Sequence, residues 1–168
     1  MSHTLHSFAA RVREILQHND TPAGRAQVAA LLSDALADRP FVESLFDDAA
    51  PQRKVVYEDP QLGFCILAHR YTDARDGGPH DHGPSWAIYG QADGATVMSD
   101  WVPVGAPSSG GRAQVKKVRE YTLTPGVAHV YNEGDIHAPS RAGAARLIRI
   151  EGVNLERVRR GTYEAVPG

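Results

Sequence analysis

The sequence predicts a mainly β protein, a closed barrel or jelly-roll sandwich, with a short α-helical lobe at the N-terminus. Apolar residues recur at helical spacing only within the first fifty residues. From residue 53 onward the chain consists of short β-rich runs that Gly, Pro, Asn and Asp separate. About eight short antiparallel strands leave open sheet edges unless the sheet closes, and a barrel or jelly roll closes it.

The chain length is that of one structural domain. Its 168 residues fall within the roughly 100–200 residues typical of a domain. We expect residues 1–50 to form the helical lobe and to pack on a barrel formed by residues 51–168.

Three helices are predicted in the lobe. The first ends before the breaker pair Asn19-Asp20, and its apolar stripe comprises Leu5, Phe8, Ala9, Val12, Ile15 and Leu16. The second begins at Thr21, an N-cap residue followed by proline, and its stripe comprises Val28, Leu31, Leu32, Ala35 and Leu36. A short third helix is predicted over Phe41–Asp47.

The predicted strands follow in order, each bounded by turn residues. They are Arg53–Glu58, Gly63–Tyr71, His80–Tyr89, Ala95–Val102, Ala113–Leu123, Val127–Tyr131, Ile136–His137 and Ala145–Glu151. The stretch Gly105–Arg112 contains proline, two serines and two further glycines and is predicted to be a mobile loop.

Composition and charge exclude several classes of function. The chain has 18 Lys and Arg against 20 Asp and Glu, a net charge of −2, so we expect no nucleic-acid partner. It has no apolar run near the roughly 18 residues of a bilayer span and no signal-like start, so we expect no membrane partner and a cytoplasmic location. The single cysteine, Cys65, excludes internal disulfides and thiolate-rich cages, so a metal site must use His, Asp or Glu.

Two histidines one residue apart form the first candidate site. His80 and His82 lie in a predicted strand, where alternate side chains point to the same face, so both could bind one metal ion. Two polar residues at this spacing are also typical of a solvated strand face. Trp86 and Ile88 continue the same alternation, and this apolar continuation favours an inward-facing pair.

A third ligand is needed, because two imidazoles hold a divalent ion weakly. His137 follows a Gly-Asp turn and is the preferred candidate. His129, which also follows a turn, is the alternative, although it would equally suit a hydrogen-bonded histidine of the barrel. The remaining histidines are interpreted as surface or packing residues: His3, His6, His18 and His69.

From residue 53 to about residue 152 the chain resembles a cupin, whose fold is the double-stranded β-helix or jelly-roll barrel. Pro79-His80-Asp81-His82 and Gly134-Asp135-Ile136-His137 are similar to the motifs of the cysteine dioxygenase-like (thiol dioxygenase) branch. The helices ahead of the barrel fit that branch as well. The common cupin pattern has a glutamate four or five residues after the second histidine, where this chain has Trp86 and Ala87. The resemblance therefore implies a three-histidine site without a carboxylate, as in thiol dioxygenases and a few diketone-cleaving cupins.

The resemblance implies Fe(II) as the preferred cofactor, although Zn or Ni could occupy the same ligands. Three neutral imidazoles leave the ion its full +2 charge and about three open coordination positions. We therefore expect O2 and a small anionic substrate, with a thiolate, carboxylate or enolate group, as partners.

The chain departs from the thiol dioxygenase pattern at two places. Ala87 stands where animal cysteine dioxygenases have the cysteine of a cysteine–tyrosine crosslink, so no crosslink can form there. By strand alternation, Leu147, Arg149 and Glu151 stand where the branch has a Ser-His-Tyr group beside the metal.

Three charged residues are candidates for substrate binding or catalysis. Arg53 stands about as far before the histidine pair as the branch's carboxylate-binding arginine, and its fork suits a carboxylate; a solvated strand edge is the alternative. Arg149 could bind an acidic substrate and Glu151 could act as a base if their side of the strand faces the barrel. The outward orientation is the commoner one for charged side chains and is favoured here.

Three further residues near the histidine pair are interpreted by strand alternation. Trp86 is expected to form a pocket wall that limits substrate size. Tyr89 has the opposite alternation and is expected to pack outward. Asp81 is expected to point away from the metal and to orient a neighbouring loop.

The leading hypothesis is a metal-dependent cupin enzyme that adds O2 to a small anionic thiol such as cysteine or 3-mercaptopropionate. The alternatives are cleavage of a diketone, an isomerase or lyase reaction in which the metal is only a Lewis acid, and a non-catalytic metal- or ligand-binding cupin. The expected assembly is a monomer or a homodimer.

Overall fold

The structure, a computed structural model, describes residues 3–105 and 111–168 and begins with three helices. Most of the predicted loop Gly105–Arg112 therefore lies outside the described residues. The helices are α1 (Leu5–His18), α2 (Pro22–Leu36) and α3 (Arg39–Leu45). None of the helices in the described ranges has the length and apolarity of a membrane span.

The rest of the described chain is β structure. The strands are β1 (Arg53–Glu58), β2 (Cys65–Tyr71), β3 (Arg75–Asp76), β4 (Ala87–Asp93), β5 (Thr96–Pro103), β6 (Gln114–Leu123), β7 (Ala128–Tyr131), β8 (Ile136–Arg141), β9 (Ala145–Glu151) and β10 (Glu164–Ala165). A single 3-10 turn, Leu155–Arg157, interrupts the segment between β9 and β10.

The strands form two five-stranded sheets. The first has the order β1-β2-β9-β4-β7 and the second the order β10-β6-β5-β8-β3. Strands far apart in sequence lie side by side, as β2 with β9 and β5 with β8, because the chain crosses between the sheets. This is the jelly-roll arrangement, so the predicted fold class, a mainly β cupin-type double-stranded β-helix with an N-terminal helical part, is confirmed.

The helices cover the outer face of the first sheet. One apolar cluster joins helical side chains to Ile88 of β4 and to Ile148 and Ile150 of β9. The approach is close at Gly90, where an added Cβ would lie 2.7 Å from the Leu32 side chain and 3.1 Å from a backbone oxygen. A second cluster, which includes Tyr89, lies between the two sheets.

The helix starts show two differences from prediction. The third helix begins at Arg39 and ends at Leu45 instead of spanning Phe41–Asp47, because Asp38 caps it by accepting a hydrogen bond from the Phe41 N–H. The other difference is the cap of α2.

Thr4 caps α1 with a capping box, in which its hydroxyl accepts a hydrogen bond from the Ser7 N–H. Thr21 stands at the predicted N-cap of α2, but its side chain accepts no capping hydrogen bond; its hydroxyl donates to the Asn19 side chain at 2.5 Å.

Strand predictions hold where one strand is uninterrupted and fail at a turn. Arg53–Glu58 and Ala145–Glu151 are confirmed with the same bounds. The strand predicted over His80–Tyr89 is wrong, because β4 begins only at Ala87 and a turn at Gly83-Pro84 precedes it. The predicted two-residue strand at Ile136 is too short, since β8 continues to Arg141.

The packing of α2 on the sheet predicts the stability of two leucine variants. Leu32 is fully buried, so Leu32→Ala should lower the free energy of unfolding by about 2–5 kcal/mol. Leu62 is 41% exposed, and Leu62→Ala should change it by less than about 0.5 kcal/mol. Urea unfolding followed by circular dichroism measures both. Similar losses in the two variants would show that the helices do not share a core with the barrel.

Candidate metal centre and its cavity

Three histidines meet inside the barrel. One ring nitrogen from each of His80, His82 and His137 lies within 4.8 Å of the other two. His82 and His137 are fully buried, whereas His80 is partly exposed. The cluster that the sequence predicted is therefore assembled by the fold, and its size and donor set could hold a metal ion.

Reciprocal backbone hydrogen bonds align two of these histidines. The N–H of His80 donates to the carbonyl of His137, and the N–H of His137 donates to the carbonyl of His80, each at 3.0 Å. The two rings lie 4.6 Å apart by their centroids. This short bridge replaces the long strand that was predicted around the histidine pair.

A carboxylate holds the segment that carries His82. Asp81 points away from the cluster, as expected, and accepts hydrogen bonds from the N–H of Gly83 and of Gly161, each at 2.8 Å, and from the Tyr163 hydroxyl at 2.5 Å. Burial raises the pKa of Asp81, but these three hydrogen bonds outweigh burial and lower it below its ordinary value. The C-terminal segment is thereby tied to the histidine pair.

The turn after His82 requires glycine. Gly83 has φ of 59°, in the left-handed region, and an added Cβ would lie 2.3 Å from the carbonyl oxygen of Arg159. Because of this turn, the alternation of side-chain directions that begins at the histidine pair does not continue into β4.

The histidines have the protonation that metal binding requires. Nδ1 of His80 donates to the Gly78 carbonyl and Nδ1 of His137 to the Asp135 carbonyl, each at 2.9 Å, because a carbonyl only accepts. This tautomer leaves Nε2 of both rings with a free lone pair. Burial lowers the pKa of His137 to about 3 and also lowers the pKa values of His80 and His82. All three rings are therefore neutral near pH 7.

Polar atoms around the cluster fit a divalent metal. Nδ1 of His82 is buried without a hydrogen-bond partner among the described residues. The Tyr89 hydroxyl lies 3.0 Å from Nε2 of His82 and 3.4 Å from Nε2 of His137. Acceptor nitrogens thus converge on one small region, which a cation would stabilise.

Two aromatic residues near the cluster are not where strand alternation places them. Tyr89 was expected to pack outward but is 3% exposed and lies inside the barrel beside the histidines. Trp86 was expected to be a pocket wall but packs under the helices, with the Arg25 guanidinium 5.1 Å from its ring centroid. Both expectations are wrong because they carried the alternation of His82 across the turn at Gly83.

His129, the alternative third ligand, lies outside the cluster. Its Nε2 is 3.1 Å from the Tyr121 hydroxyl, and that hydroxyl is 2.8 Å from the Tyr131 hydroxyl. The Tyr131 ring stacks on His137 with centroids 4.0 Å apart. His129 is therefore a hydrogen-bonded histidine of the barrel.

A cavity of about 330 Å³ adjoins the cluster, and His80 and Tyr89 form part of its wall. The wall is strongly basic. Among the described residues that line it, Glu151 is the only acid, and the arginines are Arg53, Arg75, Arg141, Arg149 and Arg160.

Arg149 and Glu151 point into the barrel, so the outward orientation favoured from the sequence is wrong. The helices cover the opposite face of β9, which carries Ile148 and Ile150, and this leaves the charged face inside. The Arg149 guanidinium lies 4.3 Å from the centroid of the Tyr89 ring.

Arg53 reaches the cavity but is already paired. Its guanidinium donates to Glu151 at 3.0 Å and to the Asn154 side chain at 2.9 Å, and lies 3.2 Å from a carboxylate oxygen of Glu156. It is therefore less available for a substrate carboxylate than its sequence position indicates.

Two buried polar residues of the cavity wall were not predicted from the sequence as site residues. Arg141 shares a face of β8 with His137, and this alternation could have revealed it had the strand been predicted at full length. His69, interpreted from the sequence as a surface or packing residue, lines the cavity at 5% exposure.

Fold and cluster together define a jelly-roll protein with a three-histidine group that could bind a metal. No family model and no curated protein matches the chain. Solved structures that the chain is similar to include three at low sequence identity. A cupin-2 domain containing protein from Shewanella frigidimarina NCIMB 400 has 15% identity and TM-score 0.44, over 65% of this chain and 86% of that one. KdgF from Halomonas sp. has 19% identity and TM-score 0.44, over 62% and 82%.

The third is a conserved protein with a double-stranded beta-helix domain from Klebsiella pneumoniae subsp. pneumoniae MGH 78578. It has 12% identity and TM-score 0.48, over 73% of this chain and 88% of that one. Because one fold hosts many functions, we argue the function from the residues of the site.

Metal content distinguishes the two candidates for the third ligand. His137→Ala should abolish stoichiometric metal binding, because two imidazoles remain. His129→Ala should retain the metal and serves as the matched control. Elemental analysis after loading with metal and desalting measures both variants. Full occupancy in His137→Ala would contradict the assignment of the cluster.

The Asp81 contacts predict a graded effect on metal affinity. Asp81→Ala removes all three hydrogen bonds to the histidine segment and should weaken metal binding about 10-fold or more. Tyr163→Phe removes one of them and should have a smaller effect. Asp76→Ala, at an exposed residue of β3, is the control. Competition with a chelator measures the affinities, and unchanged affinity in Asp81→Ala would refute a positioning role.

Proposed function

We propose that this chain is a metal-dependent cupin dioxygenase that converts a small thiol carrying a carboxylate into its sulfinate. Both oxygen atoms of O2 become bonded to sulfur, the thiolate sulfur is oxidised by four electrons, and O2 is reduced by the same number. The metal would be held by His80, His82 and His137, with Fe(II) preferred. The observation that carries the proposal is an all-histidine cluster beside a basic cavity.

The ligand set supports an anionic substrate. Three neutral imidazoles add no negative charge to the site, so the charge of a divalent metal would not be compensated by its protein ligands. When bound, Fe(II) would supply adjacent coordination positions for thiolate and O2 and the electron exchange between them.

The cavity wall supports a carboxylate on the substrate. Arginine forks bind carboxylates with two parallel hydrogen bonds, and the wall offers them next to His80. A substrate with its thiolate at the histidines and its carboxylate at an arginine would be held in one orientation, which places sulfur for reaction.

Tyr89 offers a hydrogen-bond donor at the cluster, where the chain lacks the Ser-His-Tyr group. Burial raises the pKa of Tyr89, so its hydroxyl remains protonated near pH 7 and can donate a hydrogen bond at the cluster. We infer that it orients a bound anion. Leu147 cannot handle protons at the neighbouring position of β9.

A second candidate function is a lyase or isomerase reaction with the metal as Lewis acid. Glu151 favours it, because this carboxylate is fully buried and lines the cavity. Its Oε1 lies 2.9 Å from Nη2 of Arg149 but accepts no hydrogen bond from the described residues. Such a carboxylate could act as a general base. This reaction would consume no O2.

Oxygen uptake by anaerobically Fe(II)-loaded protein tests the proposal. Cysteine or 3-mercaptopropionate should give uptake with one sulfinate formed per O2, whereas cysteamine, which lacks the carboxylate, should be a poorer substrate by about 10-fold or more in kcat/KM. A β-diketone completes the panel. His80→Ala should abolish the activity, and His129→Ala should keep it.

The outcomes separate the candidate functions. No uptake with any thiol, with iron verified in the site, would overturn the dioxygenase proposal. Uptake with the diketone alone would assign carbon–carbon cleavage instead. Binding of ligands without turnover under any metal would indicate a binding protein.

A further inference from the structure

The cavity carries more positive charge than its own acids neutralise. Arg53 is paired with Glu151 and Glu156, and Arg149 lies 2.9 Å from Glu151. These contacts engage Glu151, the acid of the cavity wall, and Glu156, which does not line the cavity. The other arginines of the wall, Arg75, Arg141 and Arg160, form no ion pair within residues 3–105 and 111–168.

Among these three arginines, Arg141 most strongly indicates a bound anion, because it is buried. Only 5% of the residue is exposed, and its guanidinium lies 3.9 Å from the centroid of the Tyr71 ring. Its Nε has no hydrogen-bond partner among the residues that the structure describes. Burial lowers the pKa of Arg141, yet a guanidinium keeps its charge at neutral pH. A buried charge without a counter-charge is unfavourable, so an anion in the cavity would stabilise it.

Two more buried side chains present unpartnered polar atoms at the same cavity. Within the described part of the chain, Arg149 has no hydrogen-bond partner for Nε or Nη2, because its contact with Glu151 lacks hydrogen-bond geometry. His69 has no partner for Nε2 among the same residues. Buried polar groups normally find partners, and three that line one cavity indicate a ligand that supplies them.

The positions of the two arginines constrain the ligand. Arg141 belongs to β8 in the second sheet, and Arg149 belongs to β9 in the first sheet. The two guanidinium groups therefore reach the cavity from different walls. This arrangement suits two separate carboxylates better than one compact anion. The volume of about 330 Å³ is at the small end of ligand cavities and limits the ligand to a small molecule.

We propose that Arg141, Arg149 and His69 form a subsite for a dicarboxylate. The substrate would then carry two carboxylates at this subsite, in addition to the group that faces the histidine cluster. This inference rests on the proposed function only for the group that reacts at the histidine cluster, which is a thiolate under that proposal. Arg160 and Arg75, both exposed, add positive charge at the cavity.

Calorimetry with Zn-loaded protein tests the subsite without any turnover. Succinate should bind about 10-fold or more tightly than butyrate, which has the same carbon chain length and one carboxylate, at equal ionic strength. Arg141→Met should abolish this preference, because methionine keeps an apolar stem but removes the fork. Arg11→Met, at an exposed helical residue, should leave it unchanged.

Further measurements distinguish loss of the Arg141 guanidinium from misfolding of the variant. Arg141→Lys keeps the charge and should retain part of the preference, whereas circular dichroism and zinc content report whether either Arg141 variant folds. If Arg141→Met fails to fold, loss of at least part of the preference in Arg141→Lys carries the test. Equal binding of succinate and butyrate to the unmodified protein would overturn the proposal, and tighter binding of inorganic phosphate than of succinate would replace the dicarboxylate by a phosphate ligand.

The two proposals can fail separately. A succinate preference that depends on Arg141 would support the subsite even if no thiol supports oxygen uptake. Oxygen uptake with 3-mercaptopropionate, together with indifference between succinate and butyrate, would leave the dioxygenase proposal standing and overturn the subsite.

Discussion

The helical cover on the first sheet decides which side chains enter the barrel. Alpha-helical side chains such as Leu32 pack on the outer face of that sheet and bury Ile148 and Ile150. Because strand side chains alternate, the neighbouring Arg149 and Glu151 must point inward. A charged interior is therefore a consequence of where the apolar helices pack. The pairing of Glu151 with Arg53 reduces the cost of that interior, and an anionic ligand in the cavity would reduce it further.

The histidine cluster depends on backbone contacts more than on a regular strand. His80 and His137 are aligned by two reciprocal hydrogen bonds, and Asp81 ties the following turn to the C-terminal segment. Burial then keeps the imidazoles neutral, which is the form that ligates a metal. Burial also strengthens the field of Arg141 and Arg149 at the adjoining cavity, because little water screens their charge. A metal ion held by the histidines and these arginines would therefore both attract negatively charged molecules.

Predictions from alternation succeeded within single strands and failed across turns. The bounds of β9 were predicted correctly, and the sequence left open which of its faces is buried. The placement of Trp86 and Tyr89 failed because Gly83 breaks the alternation that began at His82. Arg141 was missed because β8 extends beyond the two residues predicted for it. In each case a local pattern was correct only as far as the backbone stayed extended.

By itself, the sequence determined the fold class, most helix and strand bounds to within two residues, and the histidine pair His80 and His82, with His137 preferred over His129 as the third ligand. These follow from apolar spacing, turn residues and ligand chemistry, which are local properties of the chain. Only the tertiary structure decided that Arg53 is neutralised by acids from a distant segment, that Arg141 is buried and unpaired, and that Tyr89 lies at the histidines. The physical reason is that charge compensation and burial depend on which segments pack together, and strand alternation alone does not specify those neighbours.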